Sequence, residues 1–184
     1  MSTKKLVQTA VFAALVLLAT VVFKIQTPVI GYIHLGDAFV ILAGIILGPL
    51  SGGLAAGIGS ALADFAGGYL IWCPGTLIIK FLVAYTAWHV HSGIERFYSH
   101  DKYHPSQLII SGAVGEVIMV IGYFLFNIIA VIFSGGSITE NAFSEAVVVS
   151  VAEIPFNIIQ GTAGIVIAAI LAPIFRKIAA LSTR

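Results

Sequence analysis

Long uncharged runs alternate with short polar breaks along the whole chain. The uncharged stretches cover residues 6–23, 38–63, 65–79, 81–94, 105–115, 117–139, 146–152 and 154–175. Four ionisable residues, Asp64, Lys80, Glu116 and Glu153, interrupt what would otherwise be longer runs. A membrane helix needs ~20 mostly apolar residues. The pattern predicts helices over 5–23, 35–48, 52–71, 75–91, 106–133 and 146–175. The roughly ten-residue alternating segments of a membrane barrel are absent. The second segment is short for a full crossing, so it is tilted, begins earlier or is partly re-entrant. The third is rich in glycine and alanine. Small residues let helix backbones approach closely in lipid, which places this helix inside the bundle. Between the two, Gly48-Pro49-Leu50-Ser51-Gly52-Gly53 reads as a tight turn.

Composition agrees with this class. Of 184 residues, 59% are hydrophobic and 9% charged, against roughly 25% charged in a soluble domain. Too few charges remain to cover a water-facing surface. A net charge of +1 offers no attraction for nucleic acid. The one cysteine, Cys73, excludes an internal disulfide framework. Lys4 and Lys5 ahead of the run 6–23 have the look of a signal peptide. The run is long for one and no A-x-A site closes it, so a retained first helix is expected.

Charge placement then counts the spans. Seven of the nine basic residues fall in three places: Lys4 and Lys5; Arg96 and Lys102; Arg176, Lys177 and Arg184. The positive-inside rule puts all three on the cytoplasmic side, so an even number of spans separates each from the next. Two spans of ~20 residues cannot use up residues 5–91. Four spans therefore precede the long loop at 91–107 and two follow it. The expected fold is an all-α polytopic bundle of six transmembrane helices, a single domain over 1–184, with both termini cytoplasmic.

Three loops then face outward, at 24–35, 69–76 and 134–145. The first two carry Pro28, Tyr32, Tyr69, Trp72 and Pro74, where a bare connection is more often polar. They line or cap an external pocket, or they form an interfacial aromatic belt; both readings stand. Ionisable groups at membrane depth are costly and point to function. Lys80 and Glu153 lie at comparable depth in the outer halves of the fourth and sixth spans. They meet as an ion pair or flank one ligand; the structural alternative is a pair that only pins helices. Asn157 shares a face with Glu153, and Tyr123 shares one with Asn127. With Trp72, Tyr32 and His34 from the outer loops, these are the candidate substrate-binding residues. His34 serves equally well as an interfacial residue. Asp64 and Glu116 lie deeper, as pocket floor, packing groups or protonated acids, and Asp37 is placed to hold the first outer loop. No G-x-S-x-G, Walker A or H-E-x-x-H is present. Neither catalysis nor ATP hydrolysis is expected of this chain, and no metal or other cofactor.

The motifs Tyr32-Ile33-His34-Leu35-Gly36-Asp37, Ile45-Ile46-Leu47-Gly48-Pro49 and Pro74-Gly75-Thr76-Leu77-Ile78-Ile79-Lys80, with the glycine–alanine helix at 52–64 between them, follow in order. This chain resembles the S components of energy-coupling factor (ECF) transporters, closest in overall look to the pyridoxine or hydroxymethylpyrimidine type. The resemblance is detailed over residues 5–92 and agrees in span count and loop placement beyond. It implies a multi-pass protein of the bacterial cytoplasmic membrane that captures a water-soluble vitamin or precursor from outside. It implies ATP-driven import by partner subunits, a transmembrane coupling protein and two cytosolic ATPases, with the S component toppling in the bilayer. It also implies docking through an alanine-x-x-x-alanine motif on the first helix, here Ala10 and Ala14 with Ala13 alongside. Small residues four apart offer a flat stripe to a partner helix. One Lys, one or two Glu, Asn and Tyr suit a small hydroxylated ring, a B6 vitamer or the thiamine-precursor pyrimidine; a polyanion would attract more cations. The competing reading is a stand-alone proton-coupled transporter, for which Asp64, Glu116 and Glu153 supply carboxylates at depth. No inverted repeat of the kind such carriers use is visible.

Overall fold

The computed structural model describes residues 2–97, 104–134 and 140–181. Lys102, Arg184 and part of the third outer loop lie outside the described residues. Six helices hold nearly all of the rest: α1 (Thr3–Val22), α2 (Gly36–Leu47), α3 (Pro49–Ala66), α4 (Cys73–Phe97), α5 (Pro105–Ser134) and α6 (Glu140–Leu181). Each predicted segment corresponds to one helix. α4 and α6 extend beyond the apolar runs at both ends, because backbone hydrogen bonding continues into polar flanks. α3 stops five residues before the predicted end. Gly68 adopts φ +82, a left-handed conformation that closes helices and suits glycine. Asp64, expected deep in a span, therefore sits in the last turn of α3, where its carbonyl accepts from the Tyr69 N–H at 2.8 Å.

Gly48, at φ +86, is both the end of α2 and the start of α3, and Pro49 follows as the first residue of α3. That pairing turns the chain with no intervening loop. The connection at 24–35 contains a feature the hydrophobic pattern did not predict. Two short strands, β1 (Ile25–Gln26) and β2 (Tyr32–Ile33), pair antiparallel with Ile25 opposite Ile33.

α2 is the hub, packing against α1, α3, α4 and α6. Its buried residues include Asp37, Val40, Ile41, Leu42 and Ala43 on all sides of the helix, as a fully enclosed helix requires. The small residues of α3 bring backbones together. A Cβ on Gly52 would run into the Ala43 carbonyl of α2, and one on Gly59 into the Ala13 carbonyl of α1. Such backbone proximity is the main source of helix association where lipid removes the hydrophobic contrast.

The polarity of the molecule is the reverse of a soluble protein. Leu18, Phe65, Leu125, Ile158 and Ile170 are each more than half exposed on the outside. Lys80 and Asp37 are fully buried, although such residues are rarely enclosed in soluble folds. Three helices, Thr3–Val22, Pro105–Ser134 and Asn141–Ile178, are each long and apolar enough to cross a membrane. α2 spans only about 18 Å at 1.5 Å per residue, against a hydrocarbon core of ~30 Å.

Candidate substrate-binding site

The connection at 24–35 is tied down by one carboxylate oxygen. Glu153 Oε1 on α6 accepts from the Thr27 hydroxyl (2.7 Å), the Ile30 N–H (2.9 Å) and the Gly31 N–H (3.0 Å). These three bonds latch the connection onto α6. A second clamp lies nearby. The Lys24 ammonium sits 4.1 Å from the ring centroids of both Tyr32 and Tyr69, joining the first connection to the one before α4 by cation–π attraction. Burial lowers the Lys24 pKa, with Asp64 opposing it. The Tyr32 hydroxyl donates to Asp64 Oδ1. Burial first, and then Asp64, keep that phenol protonated well above its ordinary range. Trp72 Nε1 donates to Asn127 Oδ1 at 2.9 Å, and the Tyr123 hydroxyl to Thr76 Oγ1 at 3.1 Å.

These contacts surround a narrow cavity of about 50 Å3. Seven of the eight candidate binding residues line it. Tyr32 and His34 come from the first connection, Trp72 from the second, Tyr123 and Asn127 from α5, and Glu153 and Asn157 from α6. The eighth, Lys80, does not. Its ion pair is with Asp37, in the first turn of α2, and its Nζ also lies 2.9 Å from Met119 Sδ. Of the two arrangements open to Lys80 and Glu153, the ion pair does not form, and Lys80 does not flank the cavity with Glu153. α4 turns Lys80 toward α2, while the first connection draws Glu153 away. Glu116 is also outside the wall. Both of its carboxyl oxygens are buried without a hydrogen-bond partner among the described residues, against Gly161 of α6.

Gln160, to which no sequence motif points, links the buried pair to the cavity. Its Nε2 donates to Asp37 Oδ2 at 2.6 Å, and its Oε1 accepts the His34 N–H at 3.1 Å. Glu153, Asn157 and Gln160 fall at i, i+4 and i+7, one helical face, which was the signal available. His34 Nδ1 accepts the Gly36 N–H at 3.0 Å. Because an amide N–H can only donate, the neutral ring carries its proton on Nε2. Burial pushes the imidazole down to about 4, so the ring is neutral near pH 7. Thr20, Ser60, Asp64, Tyr69 and Thr76 complete the polar wall. The hydroxyl residues among them carried no sequence signal, since serine and threonine are inconspicuous in uncharged runs. On α1, Ala10 and Ala14 are exposed and Ala13 is half-buried toward α3.

The wall combines aromatic faces with hydroxyl, amide and carboxylate groups, which suits recognition of a polar ring. Among the described residues no three His, Cys, Asp or Glu side chains group closely enough to hold a metal ion. The fold is that of solved S components. The chain matches the S component of a bacterial ECF transporter with a TM-score of 0.62 at 20% identity, covering 100% of both chains. It matches the S component for biotin from an ECF-type ABC transporter with a TM-score of 0.56 at 17% identity, over 94% of this chain and 95% of that one. A Pyrococcus woesei protein, described as an uncharacterized protein in gap 3'region, is 30% identical over 163 residues, 88% of this chain and 95% of the relative. A family model described as ECF-type riboflavin transporter, S component, matches residues 1–177. The chain belongs to this family, and with it to the membrane-embedded S components, substrate-binding transporter subunits rather than enzymes, which work with partner subunits.

Proposed function

We propose that this chain captures a neutral, vitamin-like ring compound from outside the cell and presents it to partner subunits for ATP-driven import. The observation that carries this reading is the cavity at one end of the bundle, walled by Tyr32, Trp72, Tyr123, Asn127, Glu153 and Asn157 and roofed by two latched connections. Its volume of about 50 Å3 holds only a few waters. Ligand entry therefore requires the 24–35 connection to swing away from α6, and closure follows when Glu153 takes it back. In this reading six helices cross the cytoplasmic membrane, both termini face the cytosol, and the cavity faces out. The partners are a transmembrane coupling protein, docked on the exposed Ala10–Ala14 stripe, and two cytosolic ATPases.

Riboflavin, from which the family takes its description, is the first ligand to test. A B6 vitamer or hydroxymethylpyrimidine is the second, and the narrow cavity favours it, because a single ring demands less opening than a fused tricyclic one. The test is native mass spectrometry of protein purified from rich medium, followed by titration of Trp72 fluorescence with riboflavin, pyridoxine and hydroxymethylpyrimidine. A retained or titratable ligand is expected. Absence of any retained mass together with no response to all three sinks the proposal. In liposomes the chain alone should bind and not transport.

A further inference from the structure

Resting on the cavity as the ligand site, we infer that Ser60 and Asp64 form a recognition edge on α3 that takes a hydrogen-bond donor from the ligand and rejects its anionic forms. Ser60 is 2% exposed and Asp64 4%, and both line the cavity. Four residues apart, they stand one above the other on one face of α3. Ser60 Oγ is buried with no hydrogen-bond partner among the described residues, and Asp64 Oδ2 makes no hydrogen bond of good geometry there although the Thr76 hydroxyl lies beside that carboxyl; Asp64 Oδ1 is taken by the Tyr32 hydroxyl. A buried polar atom left unsatisfied is destabilising, so this pair is arranged for groups that arrive with the ligand. An ionised carboxylate oxygen only accepts, whereas a hydroxyl both donates and accepts. The matching ligand edge is an N–H or O–H facing Asp64 with a second polar group one step away facing Ser60. Adjacent hydroxyls on a ring, or a ring nitrogen beside an exocyclic amine, present that edge.

The charges around the cavity make the same selection. Among the described residues its wall holds two carboxyl groups, Asp64 and Glu153, and no lysine or arginine. Lys80 lies behind the wall and is neutralised by Asp37. Lys24 sits at the rim, held between Tyr32 and Tyr69. A phosphate ester entering the cavity meets two carboxyl groups and finds no cation in the wall to receive it. The edge therefore admits the free vitamin and excludes its phosphorylated form.

The test uses the full-length protein in detergent, titrated with riboflavin, riboflavin 5′-phosphate, pyridoxine and pyridoxal 5′-phosphate. The wild type should bind an unphosphorylated probe about a hundredfold more tightly than its phosphate ester, as a phosphate with no cation to receive it dictates. Asp64→Asn should weaken the unphosphorylated probe about tenfold and narrow that discrimination. Asn157→Ala, on α6, should weaken both forms alike and leave the ratio unchanged. Should Asp64→Asn not fold, Ser60→Ala carries the test, with about a threefold loss expected for the unphosphorylated probe. The edge is overturned if Asp64→Asn, or Ser60→Ala in its place, stays within about twofold of wild type while Asn157→Ala loses binding; the cavity then stands as the ligand site. If no probe binds the wild type and nothing is retained on purification, the site reading fails and the edge fails with it.

Discussion

Glu153 gathers three donors on a single oxygen, and its removal should be felt in the 24–35 connection before anywhere else. Glu153→Ala is expected to speed ligand dissociation and cut affinity by about tenfold or more, with helix content unchanged; stopped-flow fluorescence and circular dichroism check this. Lys80 behaves differently. Fully buried and paired with Asp37, it is a stability residue. Lys80→Ala leaves a buried carboxylate uncompensated, at a cost of about 3–5 kcal/mol, and should lower the unfolding midpoint sharply. Lys80→Met with Asp37→Leu should recover most of that loss. The sequence marked both residues as costly at depth, but depth along a helix says nothing of the direction a side chain faces. Spacing therefore does not single out Asp37 as the partner of Lys80, while Glu153, Asn157, Tyr123 and Asn127 are legible from spacing along their own helices. His34 adds a pH dependence. Its imidazole is held down to about 4 from an ordinary 6.5, by burial first, with Lys80 and Lys24 reinforcing and Asp37 opposing. Between those values the unfolded chain binds more protons, so stability is full above the ordinary value and falls as pH drops toward about 4. Unfolding midpoints across that window should slope more steeply for wild type than for His34→Gln.

Helices were the easiest elements to read, because an uncharged run long enough to cross lipid has few alternatives to helix. What the runs did not show were the points where backbone conformation decides. α3 ends at Ala66, with Gly67 as its cap and the left-handed Gly68 after it, and this places Asp64 in the cavity wall rather than in a helix interior. The β1–β2 hairpin was invisible because strands of two residues are too short to show alternation. On α1, Ala10 and Ala14 face outward, while Ala13 presses its carbonyl against Gly59. The double change Ala10→Trp and Ala14→Trp should leave the isolated bundle as stable as before, yet abolish co-purification with the membrane partner. Gly59→Leu should do the opposite, loosening the α1–α3 contact and lowering the unfolding midpoint. Intact assembly in the tryptophan variant would remove this stripe from the docking surface.

At the scale of the whole molecule, the reversed polarity was legible from composition, since 9% charged residues cannot clothe a soluble surface. The convergence of polar groups at one end of the bundle was legible in outline, from the spacing on the last two spans. The latching of the roof was not, because it depends on backbone N–H groups of Ile30 and Gly31 that no residue pattern reveals. At the end away from the cavity Arg176 meets Glu95 at 3.3 Å, tying α6 to α4. The two tryptophans mark these two ends. Trp72 borders the cavity and Trp88, well along α4, lines a hollow with Glu95 and Arg176. At helical rise the pair is about 24 Å apart, most of the thickness of a hydrocarbon core. The protein thus carries its own depth gauge. Single-tryptophan versions in bilayers with bromine placed at graded positions along the lipid tails report where each end lies. A bundle that stays upright keeps the two readings far apart, and one that lies down brings them to the same depth.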